Sequence, residues 1–224
     1  MKTKTTRAAL ALLLAGVATF VAACGGNDSS SSHSSMTDMD HGGSMTSTMA
    51  AKAGGVEQAF VSQMVPHHQM AVQMAKDAQT MAEHAQIKSL ADDIVSAQTS
   101  EISQLEGIAK RIDVTPAAMG GEDQMMSDAK TLGMSADEMG MSMDMDSLMK
   151  AKPFDRAFID MMIPHHQGAI RMARAVLDQG TADAELQKIA TAIVAAQTKE
   201  IKQMNSWRKA WYGAVSPAGG VPPS

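Results

Sequence analysis

The chain has 224 residues, with 19 Lys and Arg against 24 Asp and Glu, a net charge of −5 at neutral pH and a single cysteine. Without Lys2, Lys4 and Arg7 of the N-terminal leader, 16 basic residues face 24 acidic ones, which argues against nucleic acid, whose binders carry a basic face. Past Cys24 there is no thiol, so a disulfide framework and a cysteine-based zinc or iron–sulfur site are both excluded.

Residues 1–23 read as a lipoprotein signal peptide. Three cations precede the apolar run Ala8 to Ala23, which is shorter than the roughly 20 apolar residues of a membrane span. The run ends in Val21-Ala22-Ala23-Cys24, which resembles a bacterial lipobox, so Cys24 is the expected lipidation site. This places the mature protein outside the cytoplasm, held to the cell membrane by its N-terminal lipid. Residues 24–55 are Ser, Gly, Asp, Met and His, too polar to bury a core, and are expected to form a disordered tether. Met36, Met39, Met45 and Met49 lie there beside His33 and His41, spaced so that a mobile chain could wrap a metal.

Residues 56–212 divide into two copies of one unit, 56–112 and 153–212, separated by the linker 113–152. Phe60 to Ala75 reads FVSQMVPHHQMAVQMA and Phe158 to Ala173 reads FIDMMIPHHQGAIRMA, and one offset of 98 relates Phe60 to Phe158, Met64 to Met162, His67 to His165, His68 to His166 and Met74 to Met172. In the first copy, Phe60, Met64, His67 or His68, Ala71, Met74 and Ala78 fall on one face of a helix running from Glu57 to about Gln79. Pro66 removes the amide that would bond the Ser62 carbonyl, and Pro164 does the same for Asp160, so each helix is expected to kink or restart before its His-His pair. A turn follows to about Ala85, then a helix to about Ile112 with the stripe Ile87, Leu90, Ile94, Leu105 and Ile108.

The gap in that stripe falls on Gln98 and Glu101. In the last helix, Leu186, Ile189, Ile193, Met204, Trp207 and Trp211 leave the same gap at Gln197 and Glu200. A core-facing carboxylate left unpaired costs several kcal/mol, so the neighbouring histidines are its natural partners. The linker holds nine of the 22 methionines, among them Met139, Met141, Met143, Met145 and Met149, with Gly, Ser and Asp between them. It is expected to be mobile or partly helical, and residues 213–224 to be a disordered tail. The expected fold is all-α, an antiparallel four-helix bundle built from two repeated helix pairs.

Met64 lies within one turn of His67 and His68, and Met74 lies two turns beyond. Met162, His165, His166 and Met172 repeat the pattern. Adjacent residues point about 100° apart on a helix, so either one histidine of each pair faces the bundle and the other turns outward, or the kink turns both toward one ion. Thioether sulfur selects Cu(I), and imidazole suits copper in either oxidation state as well as zinc, iron and nickel. Hard cations want convergent carboxylates, and only Glu101 and Glu200 qualify. The Glu-x-x-His motif of di-iron bundles is missing. Copper fits best, with His67, His68, Met64, Met74, His165, His166, Met162 and Met172 as metal ligands and Glu101, Glu200, Gln98 and Gln197 supporting them. His84, single and at a turn, reads as surface.

These residues resemble the DUF305 family of secreted or lipid-anchored bacterial proteins. The resemblance rests on Phe154-Asp155, Phe158, the run Met162 to Ile170, the run Gln197 to Ile201 and Trp207. It covers residues 56–212 and implies a ferritin-like helical bundle and, for some members, copper binding in the cell envelope. In the first copy Met70 stands where the second has Gly168, Gln63 stands where it has Met161, and no Phe-Asp pair precedes Phe60. The two sites are therefore expected to differ in affinity or geometry. The function expected from the sequence is a non-enzymatic, lipid-anchored protein that buffers, stores or delivers Cu(I) to a partner protein. The alternatives are a metal-dependent oxidoreductase on the same bundle and a metal-free envelope interaction module.

Overall fold

The computed structural model describes residues 43 to 223, with side chains from residue 55 onward. The signal peptide, Cys24 and the first part of the tether lie outside the described residues. The described chain is all-helical: α1 (Gly43–Met81), α2 (Ala85–Arg111), α3 (Glu122–Leu132), α4 (Met145–Lys150), α5 (Phe154–Gln179) and α6 (Ala184–Tyr212). None of these helices is long and apolar enough to cross a membrane.

α1 packs along α2 and α5 along α6, and the two pairs join chiefly across α1 and α5. Each turn has a local cause. The Asp183 carboxylate accepts from the Glu185 and Leu186 amides and starts α6. The start of α2 is satisfied from the other copy instead, where buried Asp155 on α5 accepts from the Glu83 and His84 amides at 3.0 and 2.8 Å. α1 does not restart at Pro66. The carbonyl that Pro66 strands, that of Ser62, accepts from the Ala117 amide at 3.0 Å, so the linker meets the cost of the proline.

The core divides into two apolar clusters. One holds Phe60, Met64, Leu105, Ile108, Met172, Leu186 and Ile193, and the other holds Met74, Ile87, Ile94, Phe158, Met162, Ile201 and Met204. The start of α1 shares a cluster with the ends of α2 and α5 and the start of α6, so partners run antiparallel. Along every one of the four long helices, the residues between the two clusters are the polar ones singled out above: His67 and His68, Gln98 and Glu101, His165 and His166, Gln197 and Glu200. A polar layer thus crosses the core at mid-height.

Two expectations are corrected, and a third is narrowed. α1 begins at Gly43, twelve residues inside the stretch 24–55 read as tether. Ala50, Ala51, Lys52 and Ala53 are good helix formers, and the helix propagates back through them. The linker takes the partly helical of its two expected forms: α3 packs on α1, α4 packs on α5, and Met139 between them is fully buried. Residues 213–223 are a strap rather than a free tail. Gln167 on α5 donates to the Ala218 and Gly220 carbonyls, Arg174 to those of Pro222 and Pro223, and Asn205 on α6 to that of Gly219. The strap also extends the repeat, since Val215-Ser216-Pro217-Ala218 follows α6 as Val114-Thr115-Pro116-Ala117 follows α2.

Candidate metal centre

The four adjacent histidines form one row through the polar layer, and all four are fully buried. His67 and His165 stack face to face across α1 and α5, with ring centroids 3.6 Å apart and planes 7° from parallel. His68 lies 6.2 Å from His67 on one side, and His166 lies 6.5 Å from His165 on the other. Each end of the row meets a carboxylate, His68 Nε2 being 2.7 Å from Glu101 and His166 Nε2 2.7 Å from Glu200. Neither histidine of a pair turns outward. The 100° between neighbours aims one imidazole at the other copy and the next at its own hairpin partner, and the core closes over both.

The hydrogen bonds fix which nitrogens are free. A carboxylate only accepts, so Nε2–H of His68 and of His166 donates to it, and Nδ1 is the nitrogen of each ring that the carboxylate does not engage. Neither Nδ1 has a hydrogen-bond partner, nor does either nitrogen of His67, nor Oε1 of Gln98 and Gln197. Buried polar atoms are normally paired, and each one left bare costs about 1–3 kcal/mol. Here six cluster in one layer.

His165 differs. Its Nδ1 faces the Gly140 carbonyl at 2.9 Å and its Nε2 faces the His67 carbonyl at 3.0 Å. A neutral imidazole has one N–H, so it donates to only one of them. Burial lowers the His165 pKa to about 3, against the two carbonyls that favour its proton. Burial likewise pushes His67 well below the usual range, reinforced by the neighbouring imidazoles and opposed by the nearby Met139 backbone, which favours the proton without closing a hydrogen bond. Both rings are neutral and able to act as ligands at physiological pH.

Met64, Met74, Met162 and Met172 are all fully buried. Met64 shares its cluster with Met172, and Met74 shares the other with Met162, so each thioether is grouped with one from the opposite copy. Burial alone stabilises each by about 1.5–3 kcal/mol, so their position needs no ligand to explain it. Among the described residues, no three His, Cys, Asp or Glu side chains converge to hold a metal ion by themselves.

Met139 and Gly140 belong to this site and carried no clear signal in the sequence. Met139 is fully buried in the cluster of Met64 and Met172, and the Gly140 carbonyl lies 2.9 Å from His165 Nδ1. Gly168 makes room for them, because a Cβ there would lie 1.9 Å from the Met139 carbonyl oxygen. Its counterpart in the first copy, Met70, is half-buried.

His84 is not a free surface residue. Its Nδ1 lies 2.6 Å from Asp155, and its ring stacks on Trp211 with centroids 3.7 Å apart. It lies apart from the four-histidine row and ties the start of α2 to α5 and α6.

An all-α chain with two Pro-His-His helices facing each other, each histidine pair backed by the Glu of a Gln-x-x-Glu helix, defines the class of protein. The chain belongs to the DUF305 family ("Domain of unknown function"), whose profile matches residues 15–109 and 57–208. The solved structure of CopM in the Cu(I)-bound form is 36% identical, covering 70% of this chain and 98% of that one, with a TM-score of 0.57. CopM has also been solved in Cu(II)-bound and Ag-bound forms. A DUF305 protein from Streptomyces coelicolor, 24% identical over 73% of this chain and 98% of its own, shares the fold with a TM-score of 0.62. Uncharacterized protein L153 of Acanthamoeba polyphaga mimivirus is 38% identical over 52 residues, which are 23% of this chain. The chain spans about a third (34%) of the length of that curated relative.

Proposed function

We propose that this chain is an extracytoplasmic copper-binding protein that holds Cu(I) for buffering, storage or delivery and is anchored to the cell membrane through lipidated Cys24. The observation that carries the reading is the set of bare, buried imidazole nitrogens: both of His67, Nδ1 of His68 and Nδ1 of His166. Neutral nitrogen donors held by carboxylates at their far side are what a metal shell requires, and the Glu–His pairs orient such ligands and raise their basicity. His67, His68 and His166 would supply nitrogen. His165 would join by releasing a carbonyl.

The thioethers of Met64, Met74, Met162 and Met172 stand above and below the row and would complete the shell with soft donors. Gln98 and Gln197, each with a bare carbonyl oxygen, would support it. The copper forms of CopM, alike over nearly its whole length, favour the same metal here. Outside the cytoplasm, Met and His also serve where thiols would oxidise.

The test is a Cu(I) titration of the mature chain against a chromophoric competing chelator. Binding tighter than that of a scrambled Met-rich peptide is expected, lost in the His67→Ala/His68→Ala/His165→Ala/His166→Ala variant. Affinity equal to the peptide's overturns the reading. So does a thermal midpoint unmoved by Cu(I), since a ligand selective for the native state must raise it.

A further inference from the structure

Beside the polar layer, a cleft of about 450 Å³ opens to solvent between the Asp137–Asp144 segment and α5. Its walls carry two half-buried thioethers, Met143 and Met161, and three carboxylates, Asp137, Asp144 and Asp160. Pro164 and His165 form its floor. The Gly140 backbone lies between the cleft and the histidine row, attached to His165 through one hydrogen bond. The cleft therefore leads from solvent to the one histidine whose nitrogens are both covered.

The other copy lacks this arrangement. The offset of 98 puts Gln63 in the place of Met161 and Ser62 in that of Asp160. There, Gln63 Nε2 and Ser62 Oγ each donate to buried Asp128 of α3 at 2.7 Å. The cavity beside them, about 370 Å³, contains neither a thioether nor a histidine among its lining residues. At the equivalent positions one copy carries hydrogen bonds to Asp128 and the other carries sulfur beside a histidine.

We propose that this cleft is a transfer site through which a soft monovalent cation, Cu(I) or Ag(I), reaches the histidine row. The inference rests on the copper-binding reading above. Asp137 and Asp144 concentrate a cation, the charge of Asp160 being offset by Arg208 at 3.0 Å, and neutral thioethers bind a soft ion while letting it go by ligand exchange. Met143 and Met161 take the ion first. It then passes to imidazole nitrogen as the Gly140 carbonyl leaves His165. No electron transfer is involved, since sulfur ligands are exchanged for nitrogen at constant oxidation state; the ring proton shifts to Nε2, where the His67 carbonyl 3.0 Å away accepts it, and Nδ1 is left bare for the ion.

The experiment is stopped-flow transfer of Cu(I) from a chromophoric chelator to the full mature chain, its Met143→Leu/Met161→Leu variant and a control, Met119→Leu/Met126→Leu. Leu for Met nearly conserves volume, and the control residues are exposed outside the cleft. Far-UV and near-UV spectra check that each variant is folded. The cleft variant is expected to load about tenfold more slowly or worse, with equilibrium affinity changed by less than about twofold and the control unaffected. An unchanged loading rate, an equal loss in the control, or a loss of affinity matching the loss of rate overturns the transfer site. Failure of the unmutated chain to bind Cu(I) overturns the metal-binding reading itself, so the two failures are distinct.

Discussion

His67 and His165 occupy equivalent positions in the two copies, and their rings lie in contact, 3.6 Å between centroids and 7° from parallel. Two imidazolium ions could not share that geometry in a buried layer. Both rings are held neutral, His165 with a pKa lowered to about 3 and His67 shifted in the same direction, in each case mainly by burial.

Unfolding lets both rings take up protons near pH 6.5, whereas the folded apo-protein refuses them. Stability of the apo-protein is therefore expected to be level above about pH 6.5 and to fall as pH drops from there toward about 3. The slope approaches about 1.4 kcal/mol per pH unit for each of the two groups. Urea denaturation at a series of pH values measures it. A level profile between pH 6.5 and 4 contradicts the neutral, buried stack.

Glu101 and Glu200 cap the ends of the row, each 2.7 Å from an imidazole Nε2. Replacing either by Gln keeps the shape but puts an amide in place of the carboxylate that orients the ring. Cu(I) affinity is expected to fall about 10–100-fold in Glu101→Gln and in Glu200→Gln, as for other outer partners of metal-bound histidines, with the helical spectrum retained. A competition titration reads the change. Affinities equal to the parent's would mean that the row is not the binding site.

Gly168→Ala is expected to destabilise the protein by about 1–3 kcal/mol, because its Cβ would lie 1.9 Å from the Met139 carbonyl oxygen and the linker must move. Met70→Ala at the equivalent place in α1 meets no such backbone and is expected to cost less. Chemical denaturation of the two variants side by side tests the asymmetry. Equal costs would contradict the docked linker.

Asp155 is buried and accepts the Glu83 amide, the His84 amide and the His84 ring. Asp155→Ala strands these donors at the start of α2 and is expected to cost about 2–4 kcal/mol. Because His84 stacks on Trp211, the emission of the two tryptophans should also change. A stable variant with unaltered fluorescence would show that this junction contributes little.

The polar layer was legible in the sequence because it rests on spacing. Gln98 and Glu101, or Gln197 and Glu200, interrupt an apolar stripe at helical intervals, and such interruptions must find partners. The contact of Gly140 with His165 was not legible. Alternating Met with Gly, Ser and Asp has no helical period, and what holds Gly140 is a backbone carbonyl, which leaves no mark on residue type. The strap was missed for a related reason. Its Pro, Gly and Val have the composition of a free tail, and its anchors, Gln167, Arg174 and Asn205, sit on helices far along the chain. Asp155 illustrates a third case, a carboxylate in the first turn of its own helix that caps a different one.

The copied unit is a helical hairpin with its trailing Val-Thr/Ser-Pro-Ala segment, and the stack of His67 on His165 lies on the seam between the two units. Neither hairpin owns a complete donor set, so a half-protein severed in the linker would have an unfinished interior. Its remedy is to find another half. Residues 153–223 expressed alone should associate into a symmetric pair in which two His165 rings meet, restoring in two chains what duplication joined in one.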